Sequence, residues 1–332
     1  MLTLVLPGLL LGNRGFDPAQ GLALPALAAL LGRASRRVES CDGAHAWLAG
    51  QFAFNDASLA ELTARFDMPD ASGLWWRVDP VHLRVDRDRA VLFDAGMLRL
   101  RLDEAQGMVA RLNQQFASDG LQFVAPVADR WYVQFSQPLA LHTSPLHRAF
   151  GQDVRDHLPK GPDALLWHKL HNEMQMLLYT DPVNEARELA GALTANSLWL
   201  WGEGTPLGRL AAPWPQIWAD EVLPASLARA AGQHCAPLPA AFAAEMAQGM
   251  VWQDALAASA RYGDIDAWRA GLQRLERDWF APLWQAWRSG QLPALTVILP
   301  GASSLLTATL GPAERWRFWR RSLPLATFLQ GN

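Results

Sequence analysis

The sequence predicts an α/β protein carrying a smaller inserted α+β unit. Short, predominantly apolar runs that close on Pro-Gly or Gly-rich turns occur near both ends, at 2–6 and 295–299, and again at 197–201. Long stretches with helical apolar spacing separate them, and between roughly 70 and 158 the texture changes to short, alternating segments. With 332 residues, 50% hydrophobic and 18% charged, the chain can bury one large core or two ordinary ones, and disorder is excluded.

Residues 2–6, followed by Pro7-Gly8, suit a buried central strand ending in a turn. The run lacks the positive flank of a signal peptide, and Arg14 and Asp17 end its apolar character. The next apolar stretch, 21–32, contains Pro25 and falls short of the roughly 20 residues that cross a bilayer, so no membrane span is expected. Segments 74–78, 90–93, 121–124 and 131–135 then read as strands, with a helix over 103–117. The Pro- and Gly-containing stretch 157–162 returns the chain to the core. The expected organisation is therefore a core from 1–68 and 159–332, and an inserted α+β domain over 69–158.

Helices follow at 163–178 and 184–193, before the strand-like run 197–201. A longer helix over 265–288 places Ile265, Trp268, Leu272, Leu275, Trp279 and Leu283 on one face; Pro282 should kink it and Gly290 stop it. Strands 2–6, 197–201 and 295–299 are expected to share one sheet.

A net charge of -3, with Lys160 and Lys169 the only lysines, offers no basic field for nucleic acid or an anionic membrane. Two cysteines, Cys41 and Cys235, build neither a disulfide framework nor a Cys-x-x-Cys zinc site, which fits a reducing cytoplasm. Three candidate chemistries remain. His168 and His171 share a helical face and supply two metal ligands without a visible third. Cys41 and His45 have the spacing of a nucleophile and base, or of a buried thiol beside a histidine. Sixteen tryptophans, clustered at Trp279, Trp284, Trp287, Trp316 and Trp319, mark either an interaction surface or core; the basic-aromatic segment 315–321 reads as an amphipathic helix end.

The run Asp181-Pro182-Val183-Asn184-Glu185-Ala186-Arg187, then Gly191, Ala195-Asn196 and Trp201-Gly202-Glu203-Gly204, resembles the conserved series of archaeal-type cofactor-independent phosphoglycerate mutases, members of the alkaline phosphatase superfamily. Trp76-Arg77-Val78, the helix 103–113, Gly263-Asp264, Glu276-Arg277-Asp278 and Pro282-Leu283 extend the likeness over most of the chain. The whole sequence also resembles the RpfE-like proteins, a proteobacterial group named after a regulator of pathogenicity factors. The resemblance implies an alkaline-phosphatase-like α/β core and, in that superfamily, two metal ions held by Asp and His ligands.

Those ligands are absent from the matching positions. Pro7-Gly8 stands where a metal-binding Asp-Gly is expected, Arg261-Tyr262-Gly263-Asp264 replaces a His-Asp-Gly-Asp-like segment, and Gly301-Ala302 replaces an Asp-His pair. No histidine follows His234, and neither Ser40 nor Ser58 sits in a matching nucleophile context. The expectation is thus a degenerate, non-catalytic mutase-like protein with no metal, no cofactor and no assignable catalytic residue. Its role would be binding or regulation, toward a small phosphorylated or carboxylated metabolite or a protein partner, without nucleic acid or membrane. The alternative is an active metal-dependent mutase or phosphatase with a rearranged site.

What the lost acidic ligands leave is Arg187 beside Asn184, Asn196 and the Gly202–Gly204 loop, a set of donors suited to an anion. Equally, Asn184 caps the helix that carries Arg187, and the two glycines permit a tight turn.

Overall fold

A computed structural model describes residues 1–11, 15–86, 89–150, 153–202, 205–317, 319–320, 322 and 325–329. Its strands, in chain order, are β1 (Leu2–Val5), β2 (Ser35–Ser40), β3 (Trp76–Asp86), β4 (Arg89–Phe93), β5 (Leu121–Val127), β6 (Arg130–Phe135), β7 (Ser197–Trp201), β8 (Gln216–Trp218), β9 (His234–Ala236), β10 (Gly249–Trp252), β11 (Leu295–Pro300) and β12 (Ser304–Leu310). They form two sheets in two compact units, Met1–Phe54 with Arg209–Asn332, and Asn55–Gly208. No helix among the described residues is long and apolar enough to cross a membrane.

The first unit holds a seven-stranded sheet in the order β2-β12-β11-β1-β10-β8-β9. β1 is a central strand, paired in parallel with both β10 and β11; Leu2 to Leu6 are all buried and all but Thr3 are apolar. Helix Pro25–Arg33 and the long C-terminal helical stretch bury Leu27, Leu30, Trp268, Leu272, Trp279 and Trp287 in the core beside this sheet. That stretch is helical from Ile265–Leu275, passes through a π-turn at Glu276–Phe280, and resumes at Ala281–Ser289. The π-turn accommodates Pro282, which has no N–H to give to an α-helical ladder, and Gly290 ends the helix with φ 87°. Glu276, inside the π-turn, accepts the Ala26 and Leu27 backbone N–H groups at 2.6 and 3.1 Å, the otherwise unpaired donors at the start of helix Pro25–Arg33.

The second unit holds β4-β3-β6-β5, with β7 antiparallel to β3. Helix Leu102–Phe116 lays Ala105, Met108, Val109, Leu112 and Phe116 into its core, and helix Ala164–Tyr179 adds Trp167, Leu170, Met174 and Leu178. The run 197–201 is therefore not a strand of the core sheet: all five residues are buried, but against an antiparallel neighbour. A strand covered on both faces is uniformly apolar in either setting, so the pattern alone could not place it. The unit boundaries move with it, to 54/55 and 208/209 instead of 68 and 159.

His168 and His171 do not converge on a metal. His168 Nε2 meets the Pro159 carbonyl at 3.1 Å, and His171 Nε2 meets the Ser197 hydroxyl at 2.9 Å while its ring stacks on Trp167. Burial pushes the His171 pKa down to about 4. Between that value and the roughly 6.5 of an unfolded histidine, the unfolded chain binds a proton that the folded chain does not. Stability from this site is then present above about pH 6.5 and is lost as pH falls toward 4, by up to about 1.4 kcal/mol per unit. Urea midpoints should fall between about pH 7 and about pH 5, and less steeply in His171→Gln, whose amide still reaches Ser197. An unchanged slope in that variant would assign the acid sensitivity elsewhere.

Candidate functional site

The residues singled out around Arg187 form a structural knot. Helix Pro182–Leu189 is capped by Asp181, whose carboxylate accepts the Val183 N–H at 2.8 Å, and Pro182 occupies its first position. Asn184, which is not the cap, lies buried and ties three chain segments together. Its amide donates to the Leu178 and Ala195 carbonyls at 2.8 and 2.9 Å, and its Oδ1 accepts the Ala195 N–H at 2.9 Å. Arg187 is 6% exposed. It donates to Glu104 at 2.8 Å, to the Leu193 carbonyl at 2.9 Å and to the Leu98 carbonyl. Asn196 clamps both backbone groups of Leu83, at 2.8 and 3.0 Å. Gly202 has φ 71°, and a Cβ there would lie 2.6 Å from that of Ala60. Gly204 lies outside the described residues. Asn184, Arg187 and Asn196 thus act as internal braces: every nitrogen of Arg187 is engaged within its own unit, because a buried guanidinium without partners would be strongly destabilising.

Ligands of open α/β sheets bind in the crevice beyond the carboxyl ends of the parallel strands. In the core sheet β1, β8, β10 and β11 run in one direction, and β2 runs with them through antiparallel β12. Beyond their ends stand Pro7-Gly8 after β1, Gly301-Ala302 after β11, Gln253-Asp254 after β10, Asp220-Glu221 after β8, and Cys41-Asp42 after β2. The first two are closed turns. At Gly8, φ is 81° and a Cβ would lie 2.7 Å from the Leu256 carbonyl oxygen; its own carbonyl accepts the Trp268 indole N–H at 2.8 Å. Gly301 closes the β11–β12 hairpin through its N–H to the Ser304 carbonyl at 2.7 Å. The Arg261–Asp264 segment is a helix junction: Gly263 terminates Ala257–Tyr262 at φ 72°, and Asp264 caps the next helix. Among the described residues no three His, Cys, Asp or Glu side chains are grouped so as to hold a metal ion. The residues at this edge do not fit a two-metal cage.

They do form an acid-base group. His45 Nε2 lies 3.0 Å from Glu221 Oε1, and the other Glu221 oxygen accepts the Trp252 indole N–H. Burial opposes the Glu221 charge, but the His45 and Trp252 contacts outweigh it and hold the carboxylate below its usual range. Asp254 is pushed the other way by burial and by the charge of Glu221. Two carboxyls displaced in opposite directions at one sheet edge can divide acid and base roles. Burial, Asp42 and Glu39 raise the Cys41 thiol, the opposite of the cationic surroundings that activate a thiolate. His45 pairs with Glu221. Sequence reasoning missed Glu221 and Asp254 because 176 residues separate His45 from Glu221 and only the topology joins them. The available signal was a carboxylate a residue or two past an apolar run, as in Met250-Val251-Trp252-Gln253-Asp254.

The tryptophans divide. Trp279 and Trp287 are core, Trp284 stacks on Trp287, and Trp316 and Trp319 are 77% and 66% exposed. Residues Ala313–Trp316 form a 3-10 turn in place of the expected helix end, and Phe318 and Arg321 lie outside the described residues.

The fold defines a mixed α/β protein built on two sheets. The chain is distantly homologous to 2,3-bisphosphoglycerate-independent phosphoglycerate mutases. It is 29% identical over 130 residues to the probable mutase of Geobacter sulfurreducens, covering 39% of this chain and 33% of that protein. It is 25% identical over 122 residues to the mutase of Methanosarcina mazei, covering 36% and 31%. The chain spans about a third of the length of the curated relatives it matches. The PH0037 protein of Pyrococcus horikoshii has a similar fold, with TM-score 0.50 and 14% identity over 96% of this chain and 89% of that one. No family model matches the sequence.

Proposed function

We propose that this chain is a mutase-like protein that has lost metal-dependent phosphoryl transfer and acts by binding a protein partner. The observation that carries the reading is the state of the sheet edge: Pro7-Gly8 is a packed turn and Gly301-Ala302 a tight hairpin turn, at the two positions where the resemblance to the mutases leads one to expect metal-binding residues. The acidic set Asp42, Asp220, Glu221 and Asp254 makes the same edge a poor host for a phosphorylated acid. Exposed Trp316 and Trp319 supply the amphipathic aromatic surface that protein interfaces use. A regulatory role, suggested by the likeness to RpfE-like proteins, belongs to the same proposal. Purified protein is expected to carry no stoichiometric Mn, Mg or Zn and not to interconvert 2- and 3-phosphoglycerate. Elemental analysis finding two metals per chain together with mutase turnover would overturn it.

A second reading, an active enzyme with a rearranged site, is favoured by the His45–Glu221 pair and Asp254. It requires turnover of a phosphate ester that Glu221→Gln abolishes while leaving the fold intact.

A further inference from the structure

We infer that β2 is a self-complementary edge through which two copies of this chain join their seven-stranded sheets. β2 ends the sheet, and among the described residues no strand pairs with its outer side. Its residues Ser35-Arg36-Arg37-Val38-Glu39-Ser40 are almost all exposed, with Val38 at 64%. Charged side chains commonly keep such edges apart. Here the order of the charges does the opposite.

The backbone fixes which groups face outward. Cys41 donates its N–H to the Ser303 carbonyl, on the β12 side. In an antiparallel ladder the direction alternates, so Glu39, Arg37 and Ser35 also bond toward β12, while Arg36, Val38 and Ser40 present free N–H and C=O groups outward. Two antiparallel copies related by a two-fold axis normal to the sheet keep their faces aligned, so opposed residues share a face and the axis must pass through a residue. An axis at Arg37 would oppose two arginines. An axis at Val38 brings Val38 against Val38 of the second copy, and Arg36 against Ser40 in both directions; these are three hydrogen-bonded pairs, each exchanging two bonds. On the other face it brings Arg37 against Glu39 twice, in the closer, non-hydrogen-bonded positions where opposite charges attract most. Arg37 and Glu39 are 3.1 Å apart within one chain, Arg37 exposed and Glu39 half-buried, so the exchange between copies needs no fully buried group to rearrange. The exposed Val38 would be covered by its own counterpart.

Sedimentation should show a monomer–dimer equilibrium across nanomolar to high micromolar concentration. Val38→Pro removes only an outward N–H, leaves the β12 ladder whole, and should be monomeric throughout with unchanged thermal unfolding. Arg37→Glu and Glu39→Arg should each be monomeric alone and form a heterodimer when mixed, because every opposed pair is then Glu against Arg. Parent protein that stays monomeric, or single variants that dimerise alone or fail to associate on mixing, would overturn the inference.

Discussion

Asp79→Ala is expected to lower stability by about 3–5 kcal/mol, the usual result of removing one partner of a buried ion pair. Asp79 is fully buried on β3, two residues from Arg77 and so on the same face of the strand. It accepts the Arg77 guanidinium through three contacts at 2.7 to 2.9 Å, and the Trp201 indole N–H at 2.7 Å. Arg77 is itself held between the Tyr132 and Trp201 rings, 5.4 and 5.0 Å from their centroids, both of which stand opposite it in the neighbouring strands. Burial works against the Arg77 charge, and the adjacent Asp79 more than offsets it, so the guanidinium stays protonated above its ordinary range. Alanine at 79 strands that charge in an apolar strand junction and orphans the indole. The double variant Arg77→Met, Asp79→Asn removes both charges and keeps an acceptor for Trp201; it should recover most of the loss in urea denaturation. A single variant within about 1 kcal/mol of the parent would mean that water reaches the site on substitution.

This junction marks the limit of what the sequence discloses. β1, β11, the strands and helix of the second unit, and the break before Pro282 follow from local patterns: apolar runs, alternation and a missing N–H. The position of β7 does not, because its partner β3 lies more than a hundred residues earlier and burial on both faces erases the alternation that distinguishes pairings. The resemblance to phosphoglycerate mutases directed attention to Arg187 and its neighbours, yet a motif records residues without stating whether they face a ligand or each other. The His45–Glu221–Asp254 group was invisible for the opposite reason: each member is an ordinary polar residue in its own segment, and only the strand order of the sheet brings the three segments to one edge.

Arg187→Ala should separate these possibilities by its effect on stability rather than on binding. Its partner Glu104 is 9% exposed and also accepts the Arg101 N–H at 2.8 Å, as the reciprocal half of the cap on helix Leu102–Phe116. Removing the guanidinium leaves that carboxylate buried beside a helix start, and leaves the Leu193 and Leu98 carbonyls without their donor. The expected cost is about 3–5 kcal/mol, comparable to the Asp79 variant and far above the loss of a surface charge. Arg187→Lys should recover little, since one ammonium cannot reach three acceptors that a planar guanidinium spans. Pairing Arg187→Met with Glu104→Gln should recover more than the lysine does, because it removes a buried charge that would keep only the exposed Arg101 guanidinium, 3.6 Å away, as its ionic partner. Calorimetry with 3-phosphoglycerate should give the same null result for the parent and for Arg187→Lys. Were the parent instead to bind the phosphorylated acid, and Arg187→Ala to lose that binding while remaining within about 1 kcal/mol of parental stability, Arg187 would be a ligand-binding residue and the brace would be the error.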